Sequence, residues 1–273
     1  MEAANPEIQG LRSNLTDDGP AAATLCLTYR YKLLPKRNQY EALERLLEDQ
    51  RQLYNAALEE RISAWRLARK SITRFDQMKS LAIWRGFDEE AASVPSNLQR
   101  WTIVHVDRAF AGFFQRVKTR NGRAGFPRFR SRSRWRSFGF SEFSGIRLTG
   151  NRLRFKGMPG GLRLHLHRQM PSATKVLSCV FRKDPEGWHV SLQVKVAKAP
   201  RRSLSRGVGI DPGLETLLTL SDGTVHENLR PLRKLQSSIR CRSRALARCK
   251  RGSNRRKKIR RCLARLHLKA RNA

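Results

Sequence analysis

The stretch Arg206-Gly207-Val208-Gly209-Ile210-Asp211-Pro212-Gly213, followed by Leu217-Leu218-Thr219-Leu220-Ser221-Asp222-Gly223-Thr224, decides how the rest of the chain is read. Its first part is a short apolar strand that ends in a carboxylate and is broken by Pro-Gly. Leu217 to Leu220 is a second strand, and Asp222-Gly223 turns the chain back because Gly tolerates φ > 0. A carboxylate exposed at a strand end by a Pro-Gly turn is well placed to hold a divalent cation. An ordinary hairpin whose Asp211 only caps a loop meets the same spacing.

Outward from this hairpin the chain is strongly basic. Its 273 residues carry a formal net charge of +35, which would be self-repelling without a polyanionic partner. Nucleic acid fits better than a membrane surface, since no apolar run approaches the ~18 residues that a span needs. The five cysteines (Cys26, Cys179, Cys241, Cys249, Cys262) are scattered with no Cys-x-x-Cys pair, which argues against a zinc knuckle and a secreted disulfide framework. A reduced, cytoplasmic protein is expected. Met1 to Ala23 has no basic segment leading into an apolar core, so it reads as a disordered tail or a misassigned start rather than a signal peptide.

Thr24 to Lys32 favours a strand, which Pro35 ends. Leu43, Leu46, Leu47, Tyr54, Ala57, Leu58, Ile62 and Trp65 recur at three- and four-residue steps, predicting a long amphipathic helix. A second helix is expected over Phe75 to Trp84. Ser96-Asn97-Leu98-Gln99 behind Pro95 reads as a capping box opening a third, whose stripe Ile103, Val106, Phe110, Phe113 and Val117 is expected to face the core.

From Gln115 to Arg136 the character changes. Arg116, Lys118, Arg120, Arg123, Arg128, Arg130, Arg132, Arg134 and Arg136 occur there without an acidic residue, interleaved with Phe126, Phe129 and Trp135. Guanidinium groups grip phosphates in pairs of bonds, and exposed aromatic faces stack on unpaired bases. A solvated basic loop with its aromatics tucked into the core is the plainer alternative. Ser137 to Lys198 then shows six short runs of β-favouring residues punctuated by Gly, Pro and Asn, as in a small barrel. Within it, His165-Leu166-His167 puts two imidazoles on one strand face, as two metal ligands would require. The pattern is similar to the His-hydrophobic-His metal motif of tyrosine transposases and relaxases, which use a downstream Tyr nucleophile, but Tyr29, Tyr31, Tyr40 and Tyr54 all lie upstream; the pair continues the alternation of Arg163 and reads as a solvent- or RNA-facing row. From Pro231 to Ala273 seventeen Lys and Arg occur with no acid, on two helices parted by Gly252-Ser253-Asn254. Like charges at this density oppose helix formation until phosphates neutralise them. Arg240, Arg244, Arg248, Arg251, Arg255, Arg256 and Lys257 are the candidate phosphate contacts here.

Three motifs now carry a resemblance. Gly207-Val208-Gly209-Ile210-Asp211-Pro212-Gly213 with Leu220-Ser221-Asp222-Gly223 resembles the first motif of RuvC-like (RNase H-fold) nucleases, and more narrowly TnpB. These are the OrfB-group proteins of insertion sequences, RNA-guided DNA nucleases related to type V CRISPR effectors and usually labelled transposases. Gly125-Phe126-Pro127-Arg128-Phe129-Arg130 is similar to the family's Gly-x-Pro-Arg-Phe-Lys signature, and Lys250-Arg251-Gly252-Ser253-Asn254-Arg255-Arg256-Lys257-Lys258 to its Lys-Gly-Ser-Asn-Arg-Arg-Lys segment. The resemblance runs from Thr24 to the C-terminus.

It implies an α+β fold: a small β-barrel (wedge) with an inserted helical bundle, then the first part of an RNase H-like (RuvC-like) domain with basic helices. The corresponding bounds are 24–35 for the first barrel strand, 36–120 for a helix-turn-helix-like recognition insert, 121–200 for the barrel and 201–273 for the partial nuclease domain. It also implies guide RNA and target DNA as partners, a role beside transposition, and Asp211 as a catalytic Mg²⁺ ligand. The family completes its site with a Glu, a four-Cys zinc ribbon and a final Asp beyond the basic helices, whereas the last acidic residue here is Glu227. The expectation is a chain cut before its second catalytic motif, without zinc, whose missing half or a separate transposase would act with it. A nuclease-dead RNA- or DNA-binding regulator from the same family is the alternative.

Overall fold

The computed structural model describes residues 24–119, 124–171, 175–198 and 207–272. The N-terminal 23 residues, the linker 199–206 and the candidates Arg120 and Arg123 lie outside them.

Strand β1 (Thr24–Leu34) is followed by four helices before the sheet resumes: α1 (Arg37–Ala68), α2 (Arg74–Phe87), α3 (Glu89–Ser93) and α4 (Ser96–Thr119). Next come β2 (Ser137–Phe140), β3 (Ile146–Thr149), β4 (Arg152–Phe155), β5 (Leu162–His165), β6 (Lys175–Asp184) and β7 (Gly187–Ala197). With β1 these make one sheet in the order β2-β6-β7-β1-β5-β4-β3, antiparallel throughout. Alternation explains which side is inside: Trp188, Val190, Leu192 and Val194 of β7 are buried, while the residues between them are not. The sheet is curled, and side chains from its two ends meet. Phe140 of β2 lies edge-on to Phe155 of β4 at 5.4 Å, and both rings contact Phe181 of β6.

The helices close one side of this core. Trp101 of α4 is buried against Gly139 of β2, and Phe138 stacks on Phe181 at 5.1 Å. Polar bonds fix how the helices cross. Thr102 donates to Gln50 at 2.6 Å in a buried contact, and the Arg61 guanidinium reaches Gln77 at 2.8 Å and Asp107 at 3.2 Å. Arg85 points its guanidinium at the carbonyls of Ala91, Ala92 and Val94 and at the Gln99 side chain, so one cation satisfies the C-terminus of α3.

Three helical expectations need correction. The side chain of Gln99 is spent on Arg85 and the Ala91 carbonyl rather than on a capping box at Ser96. The described capping box that pairs a hydroxyl with a carboxylate opens α2, where Thr73 and Asp76 exchange bonds. The two apolar stripes also outrun the core: Ile103 and Val106 are buried, but Val117 in the last turn of α4 and Trp65 in the last turn of α1 are half exposed. A helix longer than the sheet it covers projects its last turns into solvent.

Residues 207–272 form a separate set of elements: β8 (Ile210–Pro212), β9 (Thr216–Leu220), β10 (Val225–Glu227), α5 (Pro231–Arg248) and α6 (Asn254–Asn272). The strands make a second antiparallel sheet in the order β10-β9-β8, and the helices pair as a hairpin. Gly223, at φ +85°, makes the β9–β10 turn that Asp222-Gly223 predicted. Among the described residues of this stretch only Leu268 is buried. No described helix is long and apolar enough to cross a membrane.

Candidate nucleic-acid interface

The segment 124–136 has no regular structure, so its backbone groups must find partners elsewhere. They find them on α1. The Asn55 carboxamide accepts from the Arg130 N–H at 2.7 Å and donates to the Arg130 carbonyl at 3.1 Å. Arg51 donates to the same carbonyl at 3.0 Å. Glu48 accepts from Arg51 at 2.6 and 3.1 Å and from Arg132 at 2.9 Å. These bonds, Arg51's foremost, hold the Glu48 carboxyl down at about 2. The Arg130 guanidinium sits over the Tyr54 ring, 5.6 Å from its centre, and Arg116 donates to the Gly125 carbonyl at 3.1 Å.

The aromatics divide. Trp135 is buried against Tyr54 at 5.0 Å, and Phe126 is wedged edge-on between Phe110 and Phe113. Phe129 is half exposed and has no ring partner among the described residues. The side chains of Arg128 and Arg134 are exposed and make no hydrogen bond or ion pair among the described residues, and Lys118 is exposed at the end of α4. The acid-free loop thus holds two populations: cations that build the loop and cations that face outward.

The outer face of the first sheet extends the row of His165 by three residues that the sequence reading did not single out. Register places Arg182 beside His189, His189 beside Lys32, and Lys32 beside His165. Beneath them the buried Asp184 pairs with Arg30 and, at 3.2 Å, with Arg182. The period-two alternation of Arg30 and Lys32 was the available signal. The His165 and His167 rings stack at 6.5 Å and His167 leans on Tyr31, with no third ligand: among the described residues no three His, Cys, Asp or Glu gather as a metal site.

On the basic hairpin Arg240, Arg244, Arg248, Arg251, Arg255 and Lys257 are exposed. Arg256 is half-buried and donates to the carbonyls of Leu246 at 2.6 Å and Cys249 at 3.1 Å, closing the end of α5. Its neighbours therefore carry the outward charge.

Asp211 sits in β8 opposite Thr219 and is exposed. Asp222 uses its carboxylate to accept from the Thr224 N–H at 2.9 Å, which lowers its pKa. Two-metal phosphodiester chemistry needs several carboxylates around cations about 3.5–4 Å apart. The donor set described here does not fit such a pair.

Positive charge is thus placed outward on a loop, a sheet face and a helix hairpin. Residues 189–273 match the family OrfB_IS605, described as "Probable transposase", and residues 26–70 match its helix-turn-helix domain. Over these two stretches the chain is similar to the OrfB group of insertion-sequence proteins. The helix-turn-helix match covers β1 and α1, a strand and a single 32-residue helix. A Streptomyces pristinaespiralis protein named as a candidate RNA-guided DNA endonuclease is 29% identical over 245 residues, 88% of this chain and 59% of the relative. InsQ of Escherichia coli K12, named likewise, is 27% identical over 243 residues, 88% of this chain and 58% of that one. The chain thus spans about three fifths of the length of these curated relatives. Among solved structures, a Cas12f1–sgRNA–target DNA complex superposes with a TM-score of 0.49 at 12% identity, over 87% of this chain and 60% of that one.

Proposed function

We propose that this chain binds guide RNA and target DNA in the manner of RNA-guided DNA endonucleases of the OrfB group. On this reading the curled sheet is the wedge barrel, α1 to α4 are the recognition insert, and β8 to β10 open a RuvC-like domain. The observation that carries the reading is the acid-free loop 124–136, held on the helix that the family match covers and turning unpaired guanidinium groups outward.

The reading assigns phosphate contacts to Lys118, Arg128 and Arg134, to the outward arginines of α5 and α6, and to Arg120 and Arg123. Asp211 is assigned as a ligand for Mg²⁺, with further carboxylates required before any cleavage. Purified chain should carry host RNA, and its affinity for RNA should fall with salt at a log–log slope of about −0.7 to −0.9 per neutralised phosphate. Asp211→Ala should leave that affinity and slope unchanged, and the 273-residue chain alone should not cut guide-matched DNA in Mg²⁺. Salt-insensitive binding would refute the interface. Cleavage by the chain alone that Asp211→Ala abolishes would refute the incomplete donor set.

A further inference from the structure

Glu48, Arg51 and Asn55 follow one another at three- and four-residue steps and so share one face of α1. All three are committed to the basic loop rather than to solvent or to their own helix alone. Asn55 pairs both backbone groups of Arg130, as a neighbouring strand would, in a segment that has no neighbouring strand. Arg51 doubles the bond to the Arg130 carbonyl, and Glu48 accepts from Arg51 on both oxygens, the second of which also accepts from Arg132. Tyr54, beside them, supports the Arg130 guanidinium on its ring and packs Trp135 underneath. At the other end of the loop, Phe126 and the Arg116–Gly125 bond fix the chain to α4.

What this bracket leaves unheld is specific: Arg128, Phe129 and Arg134, two free guanidinium groups and one free ring. A free ring between cations suits a strand whose bases are unpaired, because the ring can stack on a base while the cations meet the flanking phosphates. A duplex hides its base faces and would leave Phe129 in water.

Building on the nucleic-acid reading above, we propose that Glu48, Arg51 and Asn55 are positioning residues that hold this loop open for an unpaired nucleic-acid strand. They carry no phosphate contact themselves. Fixing the loop before binding removes the ordering cost that a mobile arginine loop would meet on association.

The experiment titrates the full chain with fluorescein-labelled oligouridylate, and with the same strand annealed to oligoadenylate, across a range of salt. Arg128→Ala should lower the magnitude of the salt slope by about 0.7, the loss of one phosphate contact on a single strand. Asn55→Ala removes an uncharged group, yet it should weaken binding about tenfold and lower the slope by at least as much as Arg128→Ala, because the whole loop loses its place. Asn55→Asp keeps the acceptor for the Arg130 N–H and should fall between wild type and Asn55→Ala. Phe129→Ala should weaken the single strand far more than the duplex.

If Asn55→Ala lowers affinity with an unchanged salt slope, or changes neither, the positioning role is wrong. If Asn55→Ala unfolds, Glu48→Gln and Asn55→Asp decide by the same slope criterion. Equal loss on single strand and duplex for Phe129→Ala overturns the unpaired-strand assignment. Failure of the wild-type chain to bind either probe would instead overturn the functional reading beneath it.

Discussion

Gly139 lies where β2 passes under α4, and the space above its Cα is already taken. A methyl group there would stand 2.6 Å from the Cys179 carbonyl oxygen and 2.9 and 3.1 Å from the Trp101 indole. The first neighbour is backbone in the β2–β6 ladder, where Gly139 pairs with Val180 and Phe140 with Cys179. The second is a buried ring that has little room to withdraw. Gly139→Ala must therefore open the ladder or lift α4 from the sheet. Overpacking of this kind costs roughly 1–3 kcal/mol, and simultaneous conflict with backbone and ring puts this case near ~3 kcal/mol. For a domain of this size each kcal/mol lowers the melting temperature by about 2–4 °C, so a fall of roughly 6–12 °C is expected. Thermal melts followed by far-ultraviolet circular dichroism read it directly. Trp101→Leu should destabilise alone by leaving a cavity, but the double variant should be more stable than the two effects summed, since the methyl then has space. A Gly139→Ala protein with the wild-type melting temperature would refute this account of the helix–sheet junction.

Two further outcomes follow from titrating groups. Glu48 is held at about 2 by Arg51 and Arg132, below its ordinary value, so its stabilisation is present above the unfolded carboxylate range. It is lost as pH falls through about 2, so the difference in denaturation midpoint between wild type and Glu48→Gln should shrink steadily as the solution is acidified from about pH 5. A pH-independent difference would remove the charge contribution assigned to that carboxylate. Burial pushes the Cys179 thiol up to about 12, whereas Cys26 and Cys241 are exposed. A maleimide should thus label Cys26 and Cys241 in the native chain and reach Cys179 only on unfolding. Native labelling of Cys179 would contradict the packing of β6.

The strands of the first sheet were legible because period-two alternation and Gly or Pro breaks both act within a few residues. Leu162-Arg163-Leu164-His165 announces its inside and outside without reference to anything distant. Helix α3 was not legible: five residues carry no period, and what ends it is Arg85, from the preceding helix. The arginine loop could be read from composition, but its division into builders and outward groups could not. That division depends on Asn55, seventy-five residues away from Arg130 and unremarkable on its own helix. Arg256 looked like one more cation in a basic run, and only the approach of α6 to the end of α5 showed its guanidinium turned inward. Asp211 stood out by its local turn, while the company it keeps is a matter of tertiary structure.

Of the strands in this sheet β1 is synthesised before the others, yet its neighbours are β7 and β5, and the ladder ties Thr24 to Ala197 and Leu34 to Arg163. Between β1 and β7 lies the entire helical lobe. At about 5–20 residues per second, β1 waits on the order of ten seconds or more for the strand that pairs its whole length. During that interval its pairing edges are open to other chains, while the helices, whose backbone hydrogen bonds close within their own turns, can already form. Cys26 and Thr28 with Arg30 and Lys32 alternate along the waiting strand, and the two cations on its outward face discourage edge-to-edge association. The chain's slow step should accordingly be the return of β7 to β1, which makes the last-synthesised strand of this sheet the one that seals the first.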